Sequence, residues 1–394
     1  MRSFLTLADL DVEDRTVLVR SDLNVPIENG RVTDDFRLRA TSPTIALLRD
    51  AGAAVVVCSH LGRPGGRVDE ELRMAPVASA LSGIGGFPVA SAVDTVGPDA
   101  RDLVAQAEAG DVVLLENTRF HPGETTNEAG LAAALAELAD LFVLDAFGSA
   151  HRAHASTAGV TDHLRSAAGP LLVRELEAFR TLMDDPPRPF TVLLGGAKVS
   201  DKLPLIRALL PAVDAMLVGG GMCFSLLAAD GYEVGDSLVE PDYFDTLAEI
   251  LRGELGDRLV LPVDIVAAGR FAPDATATTL DAASMGEDSM GLDIGPRTTE
   301  RFAEVIAGSA AVFWNGPMGV FEWESFRSGT AAVAQAVAAS NAFTVAGGGD
   351  SVAALRMLGR ESDLDHLSTG GGAGLELLQG RVLPGVKALE RWSR

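Results

Sequence analysis

The stretch Phe190-Thr-Val-Leu-Leu-Gly-Gly-Ala-Lys-Val-Ser-Asp-Lys-Leu203 gives the clearest indication of fold class in this chain. Its opening residues form an apolar run of the kind found in buried strands. Gly195 and Gly196 then allow a ligand to approach the backbone closely. Pro204 and the apolar spacing after it are typical of the first turn of a helix. A strand, a glycine turn and a helix in this order predict one repeat of a parallel α/β sheet. The free N–H groups and helix dipole at such a junction favour anions.

The same stretch contains two of the chain's three lysines, Lys198 and Lys202, while the third is Lys387 and every other basic residue is arginine. An ammonium group is a compact point charge, whereas a guanidinium group is a flat bidentate fork. A site that meets a tetrahedral charge in motion has a reason to use lysine. Chance clustering of two lysines on a solvated turn is the alternative, and the strand–glycine–helix context favours the anion site.

Length and composition limit the classes of function. The chain has 394 residues, which favours about two domains. Its net charge of −23 argues against nucleic acid or an anionic membrane as a partner and also suits a salt-adapted protein. The N-terminus lacks the apolar core of a signal peptide, and no run approaches the roughly 20 apolar residues of a membrane span. Only two cysteines occur, Cys58 and Cys223, so we expect no disulfide framework and a cytoplasmic location.

The first half of the chain repeats a scheme of strand, polar motif and helix, which predicts a parallel sheet with crossover helices. The predicted strands are Thr16–Arg20, Ala54–Cys58, Val112–Leu115 and Leu141–Leu144, with a weaker one near Phe87–Ala90. The predicted helices cover Pro43–Asp50, Glu70–Leu81 and Ala129–Ala139.

The polar motifs after these strands are rich in arginine and histidine. Because the carboxyl ends of parallel strands share one edge of the sheet, we expect these side chains to meet there. Bidentate arginines suit a small anion with phosphate or carboxylate groups. The histidines are ligands or only neutral donors, and a histidine metal site is the weaker alternative because the arginines would repel a cation. His121 and His163 are interpreted as structural or surface residues. The candidates are Asp22, Asn24, His60, Arg63, Arg119, His151, Arg152 and His154.

A boundary follows at Gly169-Pro170, where the predicted helix Leu171–Met183 leads into the proline-rich segment 184–189. The second half repeats the scheme with glycine-rich strand ends, whose N–H groups can face phosphate oxygens. Asp350 lies at a helix start and is a candidate Mg²⁺ ligand or only an N-cap. Neither the Walker A sequence nor the G-x-G-x-x-G fingerprint occurs.

These motifs together resemble the bacterial phosphoglycerate kinase family nearly end to end. The stretches that carry the resemblance are Arg20–Pro26, Ser59–Pro64, Leu115–Phe120, Asp145–Ser156, Gly195–Lys202, Gly219–Met222, Gly291–Pro296, Trp314–Glu322, Gly347–Ser351 and Ser368–Gly372.

The resemblance implies the architecture. We expect an α/β protein with two doubly wound, Rossmann-like parallel-sheet domains, joined by a helical hinge with a cleft between them. Residues 1–170 would bind 3-phosphoglycerate and be completed by a C-terminal tail at about 380–394. Residues 171–185 would form the interdomain helix, and 186–379 the nucleotide domain.

The resemblance also implies the site residues. Arg37, Lys198 and Lys202 would be catalytic. The glycerate contacts would be Asp22, Leu23, Asn24, Arg37, His60, Leu61, Gly62, Arg63, Arg119 and Arg152. The nucleotide contacts would be Lys202, Gly291, Glu322, Gly348, Gly349, Asp350 and Ser351, with Asp350 also holding Mg²⁺.

The implied activity is reversible phosphoryl transfer between ATP and the carboxylate of 3-phosphoglycerate. We expect Mg²⁺ with ATP or ADP as cofactor, small-molecule substrates only, and a monomer. Departures from the family pattern are few and remove no charged group; an unusual glycine, Gly374, predicts a looser loop near the hinge. The alternatives are an NAD-linked dehydrogenase on similar sheets and a catalytically silent nucleotide-binding scaffold.

Overall fold

The structure is a computed structural model that describes residues 4–393. The ends of the predicted first domain at residues 1–3 and of the predicted tail at residue 394 lie outside the described residues. The chain divides into two units. Unit 1 runs to Glu177 and resumes at Arg381, and unit 2 comprises Ala178–Gly380.

Unit 1 contains a six-stranded parallel sheet and a separate antiparallel hairpin. Continuous apolar runs form its central strands because both faces of the sheet are covered. The strands are β1 (Thr16–Ser21), β2 (Ile27–Glu28), β3 (Arg31–Val32), β4 (Ala54–Cys58), β5 (Ala90–Ser91), β6 (Val112–Leu114), β7 (Leu141–Asp145) and β8 (Arg165–Ala168).

The order of strands in this sheet is β5-β6-β4-β1-β7-β8. The chain therefore passes from β1 to β4 and on to the edge strand β5, comes back to β6 between β5 and β4, and then continues through β7 and β8 on the other side of β1. The order reverses between β1 and β7, which pair in parallel. In doubly wound sheets, ligands bind outside the carboxyl ends of the strands at such a switch point.

The helices of unit 1 cover the two faces of its sheet. The first of them begins earlier in the chain than the sequence predicts, which changes the position of Arg37. The first helix begins at Phe36, where Asp34 Oδ1 accepts the Phe36 N–H at 3.0 Å, and Pro43 lies inside it. The sequence predicts a helix over Pro43–Asp50, and its predicted start is wrong. Because the helix begins at Phe36, Arg37 lies in its first turn. The helices are α1 (Phe36–Asp50), α2 (Ala75–Gly85), α3 (Pro98–Gln106), α4 (Ala129–Ala136) and α5 (Phe147–Ala150). The next helix, α6 (Pro170–Met183), begins in unit 1 and ends in unit 2.

Unit 2 contains a second six-stranded parallel sheet and a three-stranded antiparallel sheet. The antiparallel sheet was not predicted, because β13 is largely exposed and no apolar run marks it. The strands are β9 (Phe190–Leu194), β10 (Ala215–Val218), β11 (Leu259–Val260), β12 (Asp264–Ala268), β13 (Thr278–Asp281), β14 (Met290–Ile294), β15 (Ala311–Asn315), β16 (Phe343–Ala346) and β17 (His366–Leu367).

The parallel sheet of unit 2 has the order β11-β10-β9-β15-β16-β17. The chain winds from β9 to β11 on one side and from β15 to β17 on the other. The switch point therefore lies between β9 and β15, and the lysine-containing stretch directly follows β9. The predicted fold class, α/β with two doubly wound parallel sheets, is confirmed.

The remaining helices complete the two units. Gly374 is buried in α13, where an added Cβ would lie 2.3 Å from the ring of Phe179. The expected loosening at this glycine is therefore wrong, because close packing against the ring fills the space. The C-terminal segment belongs to unit 1, where Trp392 Nε1 donates to the Thr161 carbonyl at 2.9 Å. The helices are α7 (Leu203–Leu209), α8 (Met222–Ala229), α9 (Phe244–Arg252), α10 (Pro296–Ala307), α11 (Ser328–Ala339), α12 (Gly349–Met357), α13 (Gly371–Leu378) and α14 (Pro384–Leu389).

Among residues 4–393, no helix combines the length and the apolar character that crossing a membrane requires.

The first prediction concerns Gly195, at the end of β9. A Cβ there would lie 2.0 Å from the Pro317 carbonyl oxygen, so both strand-end backbones would have to move apart. We expect Gly195→Ala to lower the free energy of unfolding by roughly 2 kcal/mol. Urea unfolding of the purified variant measures this.

Gly83→Ala is the matched control for this substitution. Gly83 lies in α2, and a Cβ there meets no atom within 4 Å. Removing a helix glycine should raise the free energy of unfolding by about 0.5 to 1 kcal/mol. Equal effects of the two substitutions would contradict the close approach of the strand-end loops.

Candidate functional site

The loops after β1, β4 and β6 are joined by hydrogen bonds at one edge of the sheet in unit 1. Asn24 Oδ1 accepts the Gly62 N–H at 2.8 Å, and Arg37 Nη1 donates to the Asn24 carbonyl at 2.7 Å. Arg119 Nη1 donates to the Gly62 carbonyl at 2.7 Å. Four predicted glycerate contacts are therefore brought together by their own backbone and side-chain groups.

Asn117 fixes two of these loops and was not predicted as a site residue. It is fully buried, and its Oδ1 accepts the N–H groups of Leu61 and Arg119, each at 3.1 Å. Its Nδ2 donates to the Leu61 carbonyl at 2.7 Å and to the Leu72 carbonyl at 3.0 Å. A buried amide with all four groups engaged holds the loop backbones rigidly. Asn117 lies within the stretch Leu115–Phe120, but nothing in that stretch indicates which distant groups the amide binds.

Three predicted arginines, Arg63, Arg119 and Arg152, line one cavity of about 360 Å³. The pKa of the half-buried Arg119 is lowered, first by burial and then by the positive charges of Arg20 and Arg152. A cavity in which cations repel one another is stabilised by an anion that enters it. His121 lines the same cavity and is exposed, which agrees with its interpretation as a structural or surface residue.

Asp22 and the two predicted leucines lie deeper. Asp22 is 3% exposed and accepts a hydrogen bond from Ser149 Oγ through Oδ1, while Oδ2 has no protein partner in the described part of the chain. Leu23 and Leu61 are core residues. The Leu23 N–H already donates to Ser59 Oγ at 2.9 Å. The structure therefore offers an acceptor oxygen at Asp22 and no polar side chain at either leucine.

A buried polar network lies beside these residues and contains Arg20, which was not among the predicted site residues. Arg20 Nη2 contacts His60 Nδ1 at 2.8 Å, and Arg20 Nε donates to Ser156 Oγ at 2.9 Å. Ser156 Oγ in turn lies 2.6 Å from Oε1 of the fully buried Glu124. The pKa of His154 falls to about 4 because burial outweighs the attraction of Glu124. Arg20 and Ser156 lie within the motifs Arg20–Pro26 and Asp145–Ser156, but the sequence does not indicate that they are buried and hydrogen-bonded to each other.

In unit 2, Lys202 lies at the start of α7 and donates from Nζ to Asn315 Oδ1. Its pKa is lowered by burial, which the nearby carboxylates of Asp201 and Asp350 oppose. Asn315 Nδ2 donates to the Gly347 carbonyl at 2.5 Å and so links the ends of β15 and β16. Lys198 is exposed. Burial opposes the lowering of the Glu240 pKa, which hydrogen bonds from Ser200 mainly produce and to which the charge of Lys198 adds.

The glycine loops after β9, β10 and β15 are packed backbone against backbone. Besides the contact of Gly195 with the Pro317 carbonyl, a Cβ on Gly220 would lie 2.6 Å from the Gly196 nitrogen. Gly220 also has φ +66°, which strains any side chain. Glycine is therefore required here by loop packing, independently of any ligand.

A cavity of about 510 Å³ adjoins these loops and has a mainly apolar lining. Of the predicted nucleotide contacts, Gly291, Glu322 and Asp350 line it, together with Leu238 and Phe271. The Phe271 ring packs on Trp323 with 4.5 Å between centroids. An apolar slot with carboxylates at its margin suits a flat aromatic group that carries hydroxyls.

The predicted segment Gly348–Ser351 forms the N-terminus of α12. Ser351 is buried, and its Oγ accepts the Gly316 N–H at 2.6 Å and donates to the Gly347 carbonyl at 3.0 Å. Its hydroxyl thus has a structural role. Asp350 is exposed at the same helix start. Free N–H groups at such a terminus suit phosphate oxygens.

Residues 4–393 contain no group of three or more histidine, cysteine or acidic side chains arranged to hold a metal ion. Asp350, Glu322 and Asp236 all line the cavity, but within that part of the chain they do not form such a group, so a metal ion would meet Asp350 as one protein carboxylate. One or two carboxylates completed by substrate phosphates are how Mg²⁺ is usually bound, so Asp350 fits Mg²⁺ that arrives with a nucleotide.

Comparison with known proteins gives a consistent result. A family model described as phosphoglycerate kinase matches residues 7–381. A phosphoglycerate kinase of Parafrankia sp. (strain EAN1pec) is 54% identical, with 98% of this chain and 99% of the relative covered. One from Moorella thermoacetica is 50% identical, with 98% of each chain covered.

Solved structures agree with the sequence relatives. The phosphoglycerate kinase of Coxiella burnetii has a TM-score of 0.88 and 39% identity, covering 99% of this chain and 100% of that one. The enzyme of Pyrococcus horikoshii OT3 has a TM-score of 0.89 and 33% identity, covering 98% of each chain. The dehydrogenase alternative is set aside by these matches.

The second prediction concerns Asp293, which is buried in β14 beneath the cavity loops. Burial raises its pKa to about 7, although the N–H groups of Gly329 and Ile294 donate to it. The folded state therefore keeps a proton that the unfolded state releases near pH 4, so stability falls as pH rises from about 4 to about 7. We expect Asp293→Asn, which cannot titrate, to lose less stability over that range than the wild type.

Urea unfolding across this pH range measures the effect, and Asp274→Asn is the control. Asp274 is exposed, and its hydrogen bond with Arg270 lowers its pKa. Removal of that carboxylate should leave the decline between pH about 4 and about 7 unchanged. An Asp293→Asn protein that declines as steeply as the wild type would show that Asp293 is ionised throughout.

Proposed function

We propose that each unit of this chain, which belongs to the phosphoglycerate kinase family, binds one of the two substrates. As a member of that family it is a kinase of glycolysis and gluconeogenesis. It transfers a phosphoryl group reversibly between ATP and the carboxylate of 3-phosphoglycerate, giving ADP and 1,3-bisphosphoglycerate. Unit 1 binds the glycerate and unit 2 binds the nucleotide.

The glycerate assignment is carried by the cavity that Arg63, Arg119 and Arg152 share in unit 1. Guanidinium groups bind phosphate in a bidentate manner. The pKa of Arg119 is lowered first by burial and then by positive neighbours, whose repulsion a bound anion would offset. Asp22 supplies an acceptor for a substrate hydroxyl, because its Oδ2 has no protein partner within residues 4–393. Asn24, Arg37, His60 and the Leu61–Gly62 backbone complete the site, and Leu23 takes part only through its backbone.

The nucleotide assignment is supported by the apolar cavity of unit 2. The base would lie against Gly291 and the apolar lining, with Glu322 available to the ribose hydroxyls. The phosphates would meet the α12 N-terminus at Gly348, Gly349 and Ser351 and the ammonium group of Lys202. Asp350 is the residue we assign to Mg²⁺, which when bound would neutralise phosphate charge.

The acceptor needs no general base. A carboxylate is ionised at neutral pH and can attack phosphorus directly. The protein must instead align the two substrates, exclude water and neutralise the charge on the migrating group. Arg37, Lys198 and Lys202 are assigned to that neutralisation. Burial lowers the pKa of Lys202, but the carboxylates of Asp201 and Asp350 oppose this shift and favour the cationic form that the role requires.

We further propose a monomer in the cytoplasm that acts on small molecules alone. A net charge of −23 disfavours nucleic acid and anionic membranes. Both cysteines are buried and reduced, which suits a reducing compartment.

A coupled assay with ATP, 3-phosphoglycerate and Mg²⁺ tests the reaction itself. We expect turnover that depends on all three components. Turnover that persisted without the added metal would contradict the assignment of Asp350.

The third prediction concerns Arg37. Arg37→Ala removes a positive charge assigned to the migrating phosphoryl group, so we expect kcat to fall by roughly 10²- to 10³-fold. The KM for ATP should change much less. Arg39→Ala is the control on the same helix, since Arg39 is exposed and pairs with Asp35. An unchanged kcat in Arg37→Ala would refute the assigned role.

The fourth prediction concerns Lys202. Lys202→Ala should raise the KM for ATP and lower kcat, because a half-buried ammonium beside the phosphate loops is lost. Lys387→Ala is the control, since that lysine is exposed and pairs with Glu390 in unit 1. If both variants kept wild-type kinetics, the nucleotide site would lie elsewhere.

A further inference from the structure

Arg20 is a fully buried arginine at the end of β1, in the middle of the unit 1 sheet. A guanidinium group has five N–H donors. Each nitrogen of Arg20 has as many acceptors as it has protons, so none is left for a substrate. Nε donates to Ser156 Oγ, Nη1 to the Ser21 carbonyl and Ser59 Oγ, and Nη2 to His60 Nδ1 and Ser149 Oγ.

We propose that Arg20 is a positioning residue that holds His60 as a neutral imidazole with its proton on Nε2, so that His60 always presents a donor to the glycerate. This inference rests on the proposed glycerate site for its functional half. The tautomer follows from the hydrogen bonds alone.

The direction of the contact between Arg20 and His60 is fixed by chemistry. A guanidinium has no acceptor and keeps its proton in proteins, so His60 Nδ1 must accept at 2.8 Å. A neutral imidazole whose Nδ1 accepts carries its proton on Nε2. In a cationic imidazole Nδ1 also carries a proton, so two N–H donors, those of His60 Nδ1 and Arg20 Nη2, would face each other and repel.

The electrostatic surroundings of His60 favour the same form. Burial lowers the pKa of His60 well below its usual value, and the charges of Arg20, Arg119 and Arg37 lower it further, as does His154. All these groups disfavour a second proton. His60 should therefore stay a donor through the whole neutral range.

Glu124 holds Arg20 from the opposite side. Because Ser156 Oγ accepts from Arg20 Nε, its own proton is directed to Glu124 Oε1 at 2.6 Å. Glu124 Oε2 accepts the Ser156 N–H at 3.1 Å, and Thr118 Oγ1 donates to Oε1 at 3.2 Å. The buried carboxylate thus supplies a negative charge for the buried guanidinium. Donor and acceptor are therefore fixed in each hydrogen bond from Glu124 through Ser156 and Arg20 to His60.

Two further branches connect Arg20 with the glycerate contacts. Ser149 accepts from Nη2 and donates to Asp22 Oδ1. Ser59 Oγ donates to the Ser21 carbonyl at 2.7 Å and accepts the Leu23 N–H at 2.9 Å. One guanidinium therefore orients both His60 and Asp22, so loss of its fork should affect glycerate binding much more than nucleotide binding.

The tautomer is tested first, on the wild-type enzyme labelled with ¹⁵N-histidine, using the His60→Asn protein to assign the His60 signals. We expect the nitrogen shifts of a neutral imidazole protonated on Nε2 across the neutral range. A proton on Nδ1, or an imidazolium at pH 7, would overturn the inference.

Kinetics of Arg20→Lys test the positioning role. Lysine keeps the charge but has only three donors from one atom. We expect the KM for 3-phosphoglycerate to rise roughly tenfold or more, which corresponds to the loss of one charge-assisted hydrogen bond. The KM for ATP should stay within about twofold of the wild-type value. That KM for 3-phosphoglycerate should also become pH-dependent near His60's ordinary pKa. An unchanged KM, or equal rises for both substrates, would overturn the proposal.

Ser156→Ala keeps Arg20 and serves if Arg20→Lys does not fold. It removes the acceptor of Nε, and we expect the same selective rise in the KM for 3-phosphoglycerate, smaller in size. The matched control is Ser166→Ala, a buried serine of β8 whose Oγ donates to the Leu164 carbonyl at 2.7 Å. Equal kinetics for the two serine variants would overturn the relay.

His60→Ala separates this inference from the site on which it depends. If His60→Ala left the KM for 3-phosphoglycerate unchanged, the glycerate site and the positioning role would both be refuted. If that KM rose while the wild-type tautomer were the opposite one, the inference alone would be refuted and the site retained.

Discussion

The structure depends on one constraint: parallel strands deliver their carboxyl ends to the same edge of a sheet. In unit 1 the edge beside β1 and β7 receives Asp22, Asn24 and the loop after Asp145. In unit 2 the edge beside β9 and β15 receives the lysine stretch and the loop after Asn315. Residues far apart in sequence become neighbours there without any device beyond the winding of the chain. The two units then equip the same kind of edge differently, with guanidinium groups in one and backbone N–H groups with lysine in the other.

The sequence predicts the parallel strands well, because burial on both faces demands continuous apolar runs such as Ala54–Cys58 and Phe190–Leu194. It fails where that demand is absent. β13 is mostly exposed and leaves no apolar signal, and Pro43 suggested a helix start although the helix begins at Phe36. In the same way, charged motif residues are visible in sequence, whereas the roles of Asn117, Asn315 and Arg20 depend on partners that only the fold supplies.

An acidic chain that binds anions must confine its positive charge. The net charge is −23, yet Arg63, Arg119 and Arg152 share one cavity that no carboxylate among residues 4–393 lines. The carboxylate that balances this region, Glu124, is fully buried and accepts a hydrogen bond from Ser156, and it does not belong to the described residues that line the cavity. The balancing charge is therefore engaged within the protein, and the cavity keeps its attraction for an anion. The energetic cost is a fully buried ion network in which each member must remain hydrogen-bonded.

The anchoring of the C-terminal segment has a spectroscopic consequence. The chain has three tryptophans; Trp392 belongs to unit 1, where its indole donates to Thr161, while Trp314 and Trp323 belong to unit 2. Intrinsic fluorescence therefore mixes one emitter from the first unit with two from the second. Exchanging Trp392 for phenylalanine would leave tryptophan emission from unit 2 alone, so that the melting of unit 2 can be followed by fluorescence in the intact chain, and the difference from the unchanged protein reports on unit 1.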